Sequence, residues 1–250
     1  MIVIKTPMEI ERMKDACVVS AKALKLAGEL IRPGISTLEI DETVDKYINS
    51  QGAVPSFLGY NGFPNCCCIS VNDVVVHGIP RADCVLNDGD IVSVDVGAFI
   101  NGFHGDNAAT FACGNVSDEA LKLIDVTKKS LFKGISEMII GNRIGDLGNA
   151  IDTFVRKNGF SVVKSFNGHG VGENLHEDPT IPNFGTPHRG PRLQSGMILA
   201  VEPMVNLGKE DVEILSDGWT VVTVDGSLSA HFEHTIAITE NGPVILTACD

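Results

Sequence analysis

The segment DIVSVDVGAFINGFHGDNAATFA, residues 90–112, contains two apolar runs separated by Asn101-Gly102. Asn-Gly between two alternating runs is a strong signal for a β-hairpin with a two-residue turn. With that turn, residue 95 lies opposite residue 108, and the period of two along a strand places Asp95 and Asp106 on one face as diagonal neighbours. A turn with an odd number of residues would place the two carboxylates on opposite faces.

Three further polar residues interrupt glycine-rich or apolar segments. His169 stands among glycines in GHGVG, residues 168–172, where the missing side chains permit close approach of other backbone. Glu202 directly follows the apolar run MILAV, and the proline after it favours an extended backbone. Glu233 lies within another strand-like run, on the face that it shares with His231. His169 is a weak signal by itself, because these residues could equally form a loop. A Glu directly after five apolar residues is hard to explain as part of a core.

Taken together, the polar residues form a metal-ligand set. Carboxylates inside apolar strands repel each other unless protons or a cation neutralise them, and this mixture of oxygen and nitrogen donors suits Mn²⁺, Fe²⁺, Co²⁺, Zn²⁺ or Mg²⁺. One catalytic zinc ion takes three protein ligands, so five candidates favour two ions, about 3–4 Å apart, that activate a water molecule. The alternative is an exposed face with hydrated aspartates. The candidate ligands are Asp95, Asp106, His169, Glu202 and Glu233.

Two pairs of helices are predicted, each followed by strands. Capping boxes at Thr6 and Ser36 begin a long and a shorter helix. A second long helix begins at Ser117, and a second short one ends at Asn158-Gly159. This order repeats after roughly 107–110 residues, which suggests two similar halves of one domain. Chance similarity between two ordinary helical hairpins is the alternative.

The predicted strands are separated by Gly, Pro and Asn-Gly turns. With the helices they indicate a single α+β domain over residues 1–250, in which helices cover a mostly antiparallel sheet. Its halves are about 1–112 and 113–250. The strands are expected at 68–76, 90–99, 103–112, 162–166, 197–201, 212–215, 220–224 and 231–239.

Composition and charge exclude several classes of protein. The 250 residues carry 19 Lys and Arg against 32 Asp and Glu, a formal net charge of −13. This balance argues against a general nucleic-acid or anionic-membrane binder, because such proteins cluster basic side chains. No apolar stretch approaches the roughly 18–20 residues of a membrane span, and no signal peptide is visible at the N-terminus. The seven cysteines form no CxxC pair, which favours a reducing cytoplasm.

Five segments, in order and along essentially the whole chain, resemble the bacterial type I methionine aminopeptidases of the pita-bread metallopeptidase family. These segments are VNDVVVHGIP, DVGAFINGFHGD, GHGVGENLHEDP, RGPRLQSGMILAVEPM and SAHFEHTIAIT. The resemblance implies the pita-bread fold, an antiparallel sheet covered by two helix pairs related by a pseudo-twofold axis. It also implies an exopeptidase that removes the N-terminal methionine when the second residue is small.

The resemblance further implies roles for individual residues. Asp95 would bind one metal ion, Asp106 and Glu233 would bridge two ions, and His169 and Glu202 would complete the second. Glu202 would also take a proton from the metal-activated water that attacks the first peptide bond. The two ions would be drawn from Co, Mn, Fe, Zn or Ni.

Further residues would contact the substrate or a second kind of ion. His176 would donate to the developing oxyanion, and His77 would contact the substrate's peptide group. A monovalent cation would lie near Asn72, Val74 and Ser229. The methionine pocket would be lined by Phe57, Tyr60, Phe63, Cys68, Leu175 and Trp219.

The expected setting is a cytoplasmic monomer that acts on N-terminal Met peptides and nascent chains. Transient ribosome contact is implied, to which a lysine patch could contribute; no membrane or sequence-specific nucleic-acid partner is expected. One alternative is another pita-bread exopeptidase of the Xaa-Pro type, although such enzymes usually carry a large extra N-terminal domain. A second alternative is a non-catalytic binding protein on the same fold. Its signature would be loss of a ligand, whereas all five are present. The patch comprises Lys122, Lys128, Lys129 and Lys133.

Overall fold

The computed structural model describes residues 1–248, which form four α-helices and fifteen strands. The helices are α1 (Pro7–Leu30), α2 (Thr37–Ser50), α3 (Asp118–Ser136) and α4 (Ile144–Lys157). The strands of the first half are β1 (Val54–Pro55), β2 (Cys67–Val71), β3 (Val74–Val76), β4 (Ile91–Ile100) and β5 (Phe103–Ala112). The later strands are β6 (Ser161–Val162), β7 (Gly168–Gly170), β8 (Glu177–Ile181), β9 (Ile198–Val201), β10 (Met204–Asn206), β11 (Val212–Ile214), β12 (Val221–Thr223), β13 (Ser229–His231), β14 (His234–Thr239) and β15 (Gly242–Ile245).

The hairpin β4–β5 has the predicted register. Ile100 pairs with Phe103 across the two-residue turn, and Asp95 pairs with Ala108. Asn101 and Gly102 both have positive φ, at 56° and 85°, as a type I′ turn requires. The even loop length therefore leaves both aspartates on the same face of the hairpin.

The helix starts follow from their caps. Thr6 and Glu9 form a reciprocal capping box at α1, and Ser36 and Glu39 form one at α2. At α3 the Ser117 side chain accepts a hydrogen bond from the Ala120 N–H. All four predicted helices are present.

The two helix pairs pack on different strands. One buried apolar cluster joins α1 and α2 to β2 and β4. Another joins α3 and α4 to β9, β10 and β13. Each helix pair thus covers its own group of strands, while the division into similar halves near residue 112 stays a prediction.

Every strand pairing in the described residues is antiparallel, but the strands form four sheets. These are β1-β4-β2 with β5 on β4, β13-β10-β6, β11-β12-β3, and β15-β14-β9-β7-β8. An isolated bridge between Ala108 and Glu233 joins β5 to the segment between β13 and β14. This bridge connects the sheet that contains β5 to the segment that links β13 and β14.

Several predicted strands differ in detail. The run 231–239 is interrupted at Phe232-Glu233, where the chain leaves β13 and pairs with Ala108 before β14. The run 68–76 is broken after Val71 because Asn72 has a positive φ of 56°. The strand expected at 162–166 ends at Val162. The sequence pattern did not predict β1, β7, β8, β10 or β15.

Two general features concern the helices and the cysteines. None of the helices in residues 1–248 has the length and apolar character that crossing a membrane requires. The six cysteines of the described chain are free thiols; the seventh, Cys249, lies outside the described residues.

Candidate metal centre

Five residues in or next to strands line a cavity of about 220 Å³. Two come from the central hairpin, one from the short strand β7, one from the end of β9 and one from the break between β13 and β14. They are the five candidate ligands of the sequence, Asp95, Asp106, His169, Glu202 and Glu233.

The hairpin positions three of the carboxyls through hydrogen bonds that its backbone carbonyls accept. The Glu233 N–H donates to the Ala108 carbonyl at 2.9 Å, and Ala108 is the residue opposite Asp95. The Thr235 hydroxyl donates to the Asp106 carbonyl at 2.7 Å. The register of β4, β5 and the chain around Glu233 therefore determines how close these three side chains come.

His169 reaches the cavity because its neighbours have no side chain. A Cβ on Gly168 would collide with the Ala200 carbonyl, and one on Gly170 with the Asp178 carbonyl. The His169 Nδ1 lies 2.9 Å from the Gly170 carbonyl oxygen. Since a carbonyl can only accept, Nδ1 carries the proton and the Nε2 lone pair faces the carboxyls.

Burial keeps this imidazole neutral and opposes ionisation of the carboxyls. It lowers the pKa of His169 to about 3 and raises that of Asp106 to about 7. The pKa values of Asp95, Glu202 and Glu233 are raised well above their usual range, first by burial and then by the charge of Asp106 and its neighbours. Four carboxyls in one buried site thus lack compensation for their charge.

Unpartnered oxygens show that this donor set fits divalent cations. Within residues 1–248, Asp95 Oδ1, Asp106 Oδ1 and Glu233 Oε1 are buried without a hydrogen-bond partner. The His169 Nε2 lies 3.8 Å from Asp106 Oδ2 and 3.7 Å from Glu202 Oε1. Donor atoms of Asp106, His169 and Glu233 all lie within 4.8 Å of one another. Carboxylate oxygens and an imidazole nitrogen at such spacing suit Mn²⁺, Fe²⁺, Co²⁺ or Zn²⁺.

His176 lies beside this cluster, on the loop between β7 and β8. Its ring centroid is 4.0 Å from that of His169, and its Nδ1 lies 2.9 Å from the Tyr60 hydroxyl oxygen. Burial lowers its pKa. The predicted oxyanion donor is therefore next to the candidate ligands, and the stacked ring of Tyr60 lies against it.

A buried ion pair ties the same loop to the N-terminal segment. The Lys5 ammonium donates to Glu177 Oε2, and the Asn174 N–H donates to Glu177 Oε1 at 3.2 Å. The side chains of Lys5 and Glu177 are only 4% and 7% exposed. Because Glu177 directly follows His176, this pair anchors the backbone that carries the imidazole.

His77 lines the cavity with a left-handed backbone, at φ 58°. Its ring makes edge contacts with Phe166 and Trp219, at centroid distances of 5.6 and 6.3 Å. Burial lowers its pKa to about 4, so the ring is neutral near pH 7. The structure thus places His77 where a bound molecule could contact it.

The remaining wall of the cavity is apolar. Phe57, Phe63, Cys68 and Leu175 are buried in one cluster, against which Trp219 packs. Tyr60 is 36% exposed. All six residues predicted for the methionine pocket therefore line the cavity.

The residues predicted to hold a monovalent cation lie outside this cavity. The Ser229 N–H donates to the Asn72 carbonyl at 2.9 Å, and Val74 begins β3 two residues later. Cation binding there stays a prediction.

His231 is the neighbour that the sequence analysis did not assign. Its Nε2 lies 3.7 Å from Glu202 Oε2, and the residue is 1% exposed. The sequence signal for His231 was its position two residues before Glu233, which would place both side chains on one face of a continuous strand. The strand is broken between β13 and β14, so strand alternation does not explain why both side chains lie near Glu202.

Comparison with known proteins identifies close relatives. The sequence profile of metallopeptidase family M24 matches residues 11–240. The methionine aminopeptidase of Clostridium perfringens is 53% identical over 247 residues, which cover 99% of each chain. The structure of methionine aminopeptidase from Thermotoga maritima matches with a TM-score of 0.98 at 47% identity and covers 100% of both chains. A prolidase from Pyrococcus furiosus shares the fold, with a TM-score of 0.81 at 23% identity over 99% of this chain and 66% of the prolidase. The predicted pita-bread fold is confirmed.

Proposed function

We propose that the chain, which belongs to metallopeptidase family M24, removes the N-terminal methionine from peptides and nascent proteins whose second residue is small. The observation that carries this function is a buried group of four carboxyls and a neutral imidazole in a cavity whose remaining wall is apolar. The cavity wall offers a thiol, a leucine and aromatic rings, surroundings that favour a methionine thioether. Relatives that carry the name methionine aminopeptidase match over the full length.

The residues that would hold the metal are those with unpartnered buried oxygens and their neighbours. Asp106 and Glu233 would be shared between two divalent ions, Asp95 would complete one site, and His169 and Glu202 the other. Co, Mn, Fe, Zn and Ni all suit this donor set. When bound, such ions polarise a scissile carbonyl and bring the pKa of a water molecule toward neutrality.

Glu202 is the proposed proton carrier. Its carboxylate lies at the cavity wall with Oε1 directed toward His169. In this position it accepts a proton from the attacking water and delivers it to the nitrogen of the leaving amine.

Two imidazoles are proposed to hold the substrate carbonyl and peptide group. The distance of 2.9 Å between the Tyr60 hydroxyl oxygen and Nδ1 allows the hydroxyl to donate. A neutral His176 then carries its proton on Nε2 and can donate it to the developing oxyanion. His77, neutral and fixed by its aromatic neighbours, contacts the peptide group from the other side.

The direct test is release of free methionine from the peptide Met-Ala-Ser by chelator-stripped protein to which Mn²⁺ or Co²⁺ is returned. We expect release that saturates after about two ions per chain, slow cleavage of Met-Leu-Ser, and an intact Ala-Met-Ser control. No release with any metal, from protein shown to be folded, would contradict the function and favour a non-catalytic binding protein. Preferential cleavage of Ala-Pro-Ser would instead assign the Xaa-Pro specificity.

We also propose that the protein acts as a cytoplasmic monomer with transient ribosome contact. A nascent chain is presented at the ribosome, and free thiols suit a reducing compartment. Gel filtration tests the monomer. Co-sedimentation with ribosomes at low salt tests the contact. We expect a variant in which the four lysines of the patch on α3 are replaced by glutamate to lose ribosome binding.

A further inference from the structure

The His231 ring has an unsatisfied nitrogen beside Glu202. Within residues 1–248, its Nε2 is buried without a hydrogen-bond partner. That nitrogen lies 3.7 Å from Glu202 Oε2, which exceeds a hydrogen bond by about 0.7 Å. A hydrogen bond between them requires a shift of about 0.7 Å in one of the two side chains. A buried polar atom without a partner costs about 1–3 kcal/mol, so its position calls for a hydrogen-bond partner.

Strand pairing fixes the two residues relative to each other. His231 pairs with Met204, two residues after Glu202, and the Phe232 N–H donates to the Pro203 carbonyl at 3.3 Å. The His231 N–H also donates to the Thr110 hydroxyl at 2.9 Å. The backbone that carries the imidazole is therefore fixed on both sides and does not belong to a flexible loop.

The two oxygens of Glu202 face two different imidazoles. Oε1 faces His169 Nε2 and Oε2 faces His231 Nε2, each at 3.7 Å. His169 already donates through Nδ1, so its Nε2 offers a lone pair and cannot donate to Glu202. His231 is thus the imidazole of this pair that can donate to the carboxylate.

We propose that His231 is a positioning residue whose Nε2–H donates to Glu202 Oε2 and holds Oε1 toward the metal centre. Groups that orient a metal ligand in this way typically change metal affinity or activity 10–100-fold when removed. The effect on turnover rests on the proposed function, whereas the effect on metal affinity does not.

The test compares His231→Met, which lacks a donor, with His231→Gln, which has the same length and an amide donor. Chelator-stripped proteins are titrated with Mn²⁺ in a calorimeter. We expect His231→Met to weaken binding of at least one ion about 10–100-fold and His231→Gln to stay within about threefold of the unsubstituted protein. His234→Met is the matched control, because that partly buried ring lies 2.9 Å from the Thr247 hydroxyl instead. Should His231→Met not fold, His231→Leu takes its place.

Kinetics separate positioning from substrate contact. On Met-Ala-Ser, His231→Met should lower kcat about 10–100-fold with little change in KM, and His231→Gln should restore most of it. Unchanged Mn²⁺ affinity in His231→Met, or a glutamine variant no better than methionine, would overturn the inference. So would a change confined to KM that depends on the second residue of the peptide. Failure of the unsubstituted protein to release methionine would contradict the proposed function alone, because the Mn²⁺ titration still decides the role of His231.

Discussion

Replacing Lys5 by methionine is expected to lower the free energy of unfolding by about 3–5 kcal/mol. The Lys5 and Glu177 side chains are 4% and 7% exposed, so removal of the ammonium leaves a carboxylate in a nearly dry environment. The Asn174 N–H remains as a donor to Glu177, but one backbone hydrogen bond does not replace a cation.

This loss of unfolding free energy corresponds to a fall in Tm that calorimetry can measure. A chain of 250 residues, at about 2.1 cal/mol/K per residue, has an unfolding entropy near 0.5 kcal/mol/K. The expected fall in Tm is therefore about 6–10 °C for the metal-free protein at neutral pH. The double variant Lys5→Met with Glu177→Met should recover most of this loss, because it leaves no buried charge.

A matched surface pair provides the control. Lys129 and Asp125 are 61% and 55% exposed, so Lys129→Met should change the free energy of unfolding by less than about 1 kcal/mol. A Tm of Lys5→Met within 2 °C of the unsubstituted protein (an order-of-magnitude limit of about 1 kcal/mol) would refute the reasoning. A double variant as unstable as the single would also refute it, because the cost would then come from lost packing.

The remaining predictions concern the metal centre and the imidazole beside it. Glu202→Gln should fold normally and lower turnover by ~10²–10⁴-fold; near-normal turnover of Met-Ala-Ser would exclude Glu202 as the proton carrier. Asp106→Ala should lose both metal binding and activity, as calorimetric titration with Mn²⁺ and methionine release would show, and a variant that still binds two ions would disprove a bridging role. Tyr60→Phe should lower kcat about fivefold, because the Nδ1 of His176 loses one neutral hydrogen bond worth about 1 kcal/mol. Its Mn²⁺ affinity should not change; an altered affinity would place the tyrosine's effect at the metal instead.

Local signals in the sequence determined the helices and the central hairpin. The capping boxes at Thr6 and Ser36 are complete within four residues, and the two-residue turn at Asn101-Gly102 sets the register of the strands around it. Such features need no information from distant parts of the chain. They could therefore be predicted from the sequence.

The unpredicted strands depend on partners far away in the chain. Strand β7 is the three-residue segment Gly168–Gly170, which has no apolar alternation of its own, and it becomes a strand because it pairs with β8 and β9. The break at Phe232-Glu233 likewise follows from the bridge to Ala108. Pairing with distant strands determines both features, and the local sequence pattern does not predict such pairing.

The free-energy cost of burying a side chain affects how clearly the sequence indicates it as a site residue. Ionised carboxyls are the most expensive groups to bury, so Asp95 in an apolar strand is anomalous by itself. A neutral imidazole costs much less, which is why His231 gives only a weak signal although it is 1% exposed. His176 lies in a loop, where a polar side chain is ordinary, and only the family resemblance indicated it. Sequence reasoning therefore identifies the charged centre of a metal site more readily than the neutral groups that position it.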